Sequence, residues 1–143
     1  MKSAEVRYYF DEDILLLAHT IARLRSDCTY PGDPGAVIHR RQRPECPIAR
    51  GSKDTVWVPA VAARGWVIVT RDHNIRENPA ERRAVRENGA RMVALAGEDG
   101  RNTWGQLELF MRYWRQIEEA ASRPGPFIYL ASRSRMRLLD LAD

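Results

Sequence analysis

The sequence predicts an α/β fold, a three-layer sandwich with a central, mostly parallel sheet. Three observations carry that prediction. Short apolar, β-rich runs alternate with stretches of helical period along the chain, the pattern of a parallel sheet covered on both faces. Two of those runs stop at acidic residues, Asp11 and Asp72. The 143 residues, 44% of them hydrophobic, suit one domain with one core, residues 1–143, of which 131–143 read as a tail.

The elements follow in order. Val6-Arg7-Tyr8-Tyr9-Phe10 is rich in β-formers and reads as a first strand ending at Asp11-Glu12-Asp13. Ile14, Leu17, Ala18, Ile21 and Leu24 recur with helical period, and the preceding acids suit the positive end of a helix dipole. Residues 26–52 are the least regular part. Pro31-Gly32-Asp33-Pro34-Gly35 is a turn or loop, and Cys28-Thr29-Tyr30 and Ala36-Val37-Ile38 are candidate short strands. Arg40-Arg41-Gln42-Arg43 is the strongest basic cluster and reads as an exposed loop.

Thr55-Val56-Trp57-Val58 has strand propensity, but the following Pro59-Ala60-Val61-Ala62-Ala63-Arg64-Gly65 ends as a helix does. A helix capped at Ser52 or Asp54 is therefore predicted, with Pro59 near the end of its first turn. Trp66-Val67-Ile68-Val69-Thr70 is a buried strand. Asn78-Pro79-Ala80-Glu81 starts a helix with a cap, a proline and a glutamate three residues on, and Asn88-Gly89 ends it. Arg91–Ala96 is the next strand. Thr103-Trp104-Gly105-Gln106 reads as another capping box, opening a long helix with a core stripe of Leu107, Phe110, Met111, Trp114, Ile117 and Ala121. Phe127-Ile128-Tyr129-Leu130-Ala131 is a last strand.

Composition excludes several classes. No apolar run approaches the roughly 20 residues of a membrane span, and Met1-Lys2-Ser3-Ala4-Glu5 does not open a signal peptide. A cytoplasmic protein is expected. Cys28 and Cys46 suit no disulfide there, and with His39 they fit no standard zinc spacing. No GxSxG, P-loop or GxGxxG is present. The net charge of +4 hints at a polyanionic partner.

In a sheet of this kind function gathers beyond the carboxyl ends of the strands. Asp11 and Asp72 end strands, and Asp54 opens a crossover helix that starts at the same edge. Glu12, Asp13 and Asp99 belong to that edge too. Carboxylates crowded together repel, by about 4 kcal/mol per pair at 4 Å and an effective dielectric of 20. Such a cluster calls for protons or cations, and hard oxygen ligands select Mg²⁺ or Mn²⁺. Such ions can activate water, clamp a phosphate and stabilise a leaving oxygen.

Two stretches, Tyr8–Asp13 and Lys53–Asp72, resemble the PIN-domain nucleases: an acid after the first strand, an Asp opening an Ala-rich helix, a Gly, an apolar strand and a Thr-x-Asp end. The flavour is that of small PIN-like proteins related to VapC-type toxins of toxin–antitoxin pairs. The resemblance implies a single PIN-like domain and metal-dependent ribonuclease activity. It implies Asp11, Asp54 and Asp72 as catalytic acids that hold Mg²⁺ or Mn²⁺, and Thr70 as site support. The family's second acid has no clear counterpart; of Glu12, Asp33 and Glu45, Glu12 is chosen as the further metal ligand because it neighbours Asp11. Arg71, Arg40, Arg41 and Arg43 would bind the RNA backbone or an acidic segment of an antitoxin. The first and fourth helices suit a homodimer.

Two other readings compete. Asp11-Glu12-Asp13 also matches the DxD start of haloacid-dehalogenase phosphatases, where Asp13 would be essential, but their lysine after the Thr motif is missing. A PIN fold without activity that binds RNA or protein through its arginines would show salt-sensitive RNA binding without cleavage.

Overall fold

A computed structural model describes residues 1–142; Asp143, the last residue of the expected tail, lies outside them. In chain order the elements are β1 (Lys2–Ser3), β2 (Tyr8–Phe10), α1 (Leu15–Leu24), β3 (Cys28–Thr29), β4 (Ala36–Ile38), β5 (Arg41–Arg43), α2 (Asp54–Ala63), β6 (Val67–Arg71), α3 (Pro79–Asn88), β7 (Arg91–Leu95), α4 (Thr103–Arg112), α5 (Trp114–Ala120), β8 (Phe127–Ala131) and β9 (Met136–Leu138). The main sheet runs β3-β2-β6-β7-β8-β9, parallel throughout except for antiparallel β9.

Side-chain alternation along each strand builds the three layers. Tyr8 and Phe10 point to one face, with Val67, Val69, Val93 and Leu95, where they meet α1, α4 and α5. Tyr9 points to the other, with Ile68, Met92 and Ala94, where Trp57, Val58 and Val61 of α2 and Val85 of α3 cover them. Tyr9 is boxed by Trp57 and Trp66, ring centroids 5.3 and 6.5 Å away. Such fully buried strands read as continuous apolar runs, which is why the sequence shows them clearly.

The chain leaves β2 through α1 to reach β3 on one side, then returns through β4, β5 and α2 to β6 on the other side of β2. The carboxyl ends of β2 and β6 therefore flank the sheet's topological switch point, where a crevice forms. Register makes the juxtaposition specific. Phe10 pairs with Val69, so Asp11 follows beside Thr70, and the Asp11 N–H still donates to the Val69 carbonyl at 2.9 Å.

The helix at Asp54 forms despite its strand propensity, with Trp57 and Val58 committed to the core. Pro59 sits in its second turn rather than at the end of the first. The capping residue of α4 is Asn102, not Thr103: its side chain accepts from the Gly105 N–H at 2.8 Å, while Gln106 donates to the Gly100 carbonyl. The expected long helix is broken at Tyr113, whose hydroxyl donates to the Ser132 carbonyl at 2.5 Å. Met111, expected in the core stripe, is 66% exposed, as the turn of α4 places it outward with Trp104.

The largest departure lies in residues 26–52. Both candidate strands form, and a second sheet appears in the order β1-β5-β4. The basic cluster is not a loose loop. His39 and Arg40 are the two turn residues of the β4–β5 hairpin, with φ of 49° and 64°, as a tight two-residue hairpin turn requires. Arg43 corrects the RNA-binding expectation. It is 3% exposed and its guanidinium donates to the carboxylate of fully buried Asp33 at 2.7 and 3.3 Å, and to the Ala22 carbonyl at 3.0 Å. Arg40 and Arg41 stay exposed, but the hairpin leans on the last turn of α1 through His39 and the Leu24 carbonyl, 3.0 Å apart. Ten residues of helix, about 15 Å, separate that end from the acidic edge where α1 begins.

Candidate active site

At the switch point Asp11, Glu12, Asp13, Asp54 and Glu81 border a cavity of about 530 Å³. The turn after β2 supplies the first three. Asp11 caps it, accepting from the Glu12 N–H at 2.6 Å through Oδ1. Its Oδ2 accepts from the Thr70 hydroxyl at 2.9 Å. Thr70 has one proton to give, and the Asp13 oxygens stand farther off, at 3.4 and 3.5 Å, so Asp11 takes the bond. Thr70 is 2% exposed, which fixes the direction of that hydroxyl.

The other acids are held just as locally. Asp54 opens α2 and its Oδ1 accepts from the Trp57 indole N–H at 2.8 Å, one helical turn on. Glu12 reaches across the cavity mouth and accepts from the Gly51 N–H at 2.6 Å, tying the loop before α2 to the turn after β2. Glu81 lies in the first turn of α3. Asn78 caps that helix by accepting from the Glu81 N–H at 3.1 Å.

Asp72 follows β6 at the sheet edge where the sequence places it. Its Oδ1 accepts from the Ile75 N–H at 2.8 Å, which closes the turn after β6, and it does not border the cavity. Asp99 also stands apart, with both oxygens engaged by Arg133 at 2.8 and 2.9 Å. Arg71 remains at the rim and donates to His73 Nδ1 at 3.0 Å. A guanidinium only donates, so Nδ1 is the acceptor and Nε2–H donates to Asp13 at 3.0 Å. Asp13 was expected at this edge and borders the cavity, whereas Glu81 and His73 are cavity residues that sequence reasoning left without a role. For Glu81 a signal existed: α3 starts at the same sheet edge as α2, so an acid in its first turn belongs to that edge. Nothing local marked His73.

The electrostatics follow from packing like charges together. Burial, then the Asp13 carboxylate, push Asp11 up to about 7, against the opposing pull of the Thr70 bond. Burial also pushes Glu81 up to about 7, followed by Asp54, Asp11, Asp13 and Asp72. Asp13 is raised by burial, and His73 holds it back. Tyr9, beneath Asp11, is raised by burial and then by that carboxylate. Among the described residues no three His, Cys, Asp or Glu side chains stand in ready metal-ligating geometry. The donors nonetheless fit a hard divalent cation: they are carboxylate oxygens, converging on one cavity, whose mutual repulsion a cation would relieve.

The model of the PIN like domain matches residues 7–97, which hold every one of these acids. The chain belongs to the PIN-like domain family. That membership favours the PIN architecture over the haloacid-dehalogenase reading of Asp11-Glu12-Asp13. A curated protein of Mycobacterium tuberculosis (strain ATCC 25618 / H37Rv), Putative ribonuclease VapC45, is 34% identical over 91 residues, 62% of this chain and 63% of that protein. The PIN-like chain thus spans less than two thirds of that relative's length. No solved structure matches it. No helix among the described residues is long and apolar enough to cross a membrane.

Proposed function

We propose that this PIN-like chain is a ribonuclease dependent on Mg²⁺ or Mn²⁺, the toxin of a toxin–antitoxin pair. The observation that carries the reading is the convergence of Asp11, Glu12 and Asp54 on one solvent-open cavity at the sheet's switch point. The likeness to Putative ribonuclease VapC45 supports the choice of RNA as substrate and of an antitoxin as partner. The cytoplasm and a homodimer belong to the same reading.

Asp11 and Asp54 are the acids that would hold the cation, with Glu12 beside them. When bound, the ion supplies charge to the scissile phosphate and lowers the pKa of water. The rest falls to the chain. Thr70 pins Asp11 Oδ2 and leaves Oδ1 toward the turn. The Trp57 indole pins Asp54. Glu12 keeps the Gly51 loop closed over the mouth. Arg71 and His73 at the rim are placed to meet the phosphate backbone of a strand lying across the acids. Asp72 serves this geometry by closing the turn that carries His73.

The test is cleavage of a single-stranded RNA by the purified chain with Mn²⁺, with EDTA, and with Asp11→Asn. Cleavage is expected only with the metal, and the variant should lose on the order of 100-fold. Cleavage that survives EDTA, or an undiminished variant, overturns the mechanism. Salt-sensitive RNA binding without cleavage replaces it with the binding-module reading.

A further inference from the structure

Asp11, Asp54 and Glu81 each border both the acidic cavity and the adjoining cleft between α2 and α3. The three come from three separate elements, the end of β2, the start of α2 and the first turn of α3. Glu81 faces the other two acids across that opening. In an ordinary capping box the glutamate turns back to the N-cap backbone N–H. Glu81 does not. Its described side-chain bond is a long one, 3.4 Å, from the Asn78 amide, and its carboxylate stays on the cavity wall. The neighbouring cation is committed elsewhere: the Arg82 guanidinium donates to the Ile75 carbonyl at 3.0 Å and to the Arg76 carbonyl. The helix holding Glu81 is anchored by its cap and by buried Val85. A half-buried carboxylate opposite two others, fixed on a packed helix and with no ion pair among the described residues, is destabilising on its own. A shared cation turns the same arrangement into a binding site.

On that basis we infer that Glu81 is a carboxylate donor to the divalent cation held by Asp11 and Asp54, completing from α3 a donor set that β2 and α2 begin. The inference rests on the proposed metal dependence and adds a further acid beside Glu12. It adds Glu81 to an edge at which Asp72 Oδ1 holds the turn after β6.

The experiment is a calorimetric titration of the full chain with MnCl₂, alongside thermal melting with and without the metal. Glu81→Gln keeps a residue that suits the third helical position, and Glu81→Asp keeps the charge but withdraws it by one methylene. Glu81→Gln should weaken Mn²⁺ binding by about tenfold or more, and Glu81→Asp by less. Without metal, Glu81→Gln should melt no lower than the native chain, since it removes a crowded anion. Native Mn²⁺ affinity in Glu81→Gln overturns the inference. So does a lowered metal-free melting temperature with an intact Mn²⁺-induced shift, which would make Glu81 a helix cap only. So does a native chain that binds no Mn²⁺. A chain that binds Mn²⁺ through Glu81 but cuts no RNA overturns the nuclease reading alone.

Discussion

Thr70 shows how much one hydroxyl decides. It is buried, it lies one register step from Asp11, and its bond opposes the burial that raises that carboxyl. Thr70→Val keeps the shape and removes the bond. The expected cost in stability is about 1 kcal/mol, read by urea unfolding. The Asp11 carboxyl should titrate higher still, so the rising limb of the cleavage rate against pH should move to higher pH. An unchanged limb would show that Thr70 does not set the charge of Asp11. At this scale the sequence was legible where residue type and strand end coincide. Asp11, Asp54 and Thr70 could be read because each ends or opens an element. Asp72 could be placed at its strand end, but not its choice of partner, because an Asx-type turn and a cavity wall lie within a side-chain rotation of each other.

The hairpin of β4 and β5 makes the corresponding point for elements. Four residues with three arginines look like one exposed basic loop, yet a buried carboxylate beside the far end of β5 splits them. Arg41 faces solvent while Arg43 turns inward to Asp33, and the two sit two residues apart on one strand. Arg43→Met strands the Asp33 carboxylate in the interior, an expected loss of about 3–5 kcal/mol. Arg40→Ala, at an exposed turn, should change stability by no more than about 0.5 kcal/mol. Chemical denaturation compares them directly, and equal effects would refute the split. Sequence reasoning missed this because the strands are only three residues long, too short for a period to show, and because their partner β1 lies far away in the chain. The helices and long parallel strands were legible for the opposite reason: their apolar periods run over many residues, and even the strand-like start of α2 was overruled by its helical end.

Over the whole molecule the acids act as one store of repulsion. The ordinary values for Asp11 and Glu81 are 3.8 and 4.5, and both are pushed up to about 7. Between those limits the folded chain binds more protons than the unfolded one, so these groups stabilise it least when they ionise. The metal-free chain should therefore melt higher at pH 5.5 than at pH 8, and Asp11→Asn should flatten the slope. Mn²⁺ at pH 8 should restore the loss. Differential scanning calorimetry checks both, and a metal-free melting temperature that climbs from pH 5.5 to pH 8 would contradict the crowding. The net charge of +4 concealed this arrangement, because a sum over the chain says nothing about where its acids meet.

The antiparallel strand β9, three residues long, covers the last parallel strand of the sheet. Beneath it runs Phe127–Ala131, five uncharged residues of high β-propensity. Uncovered, that edge would be a template for a neighbouring chain to extend, the first step of fibrillar growth. The acids of the cavity lie between Asp11 and Glu81, while the strand that covers this edge is Met136–Leu138, so one sheet carries its chemistry and the protection of its edge in separate segments.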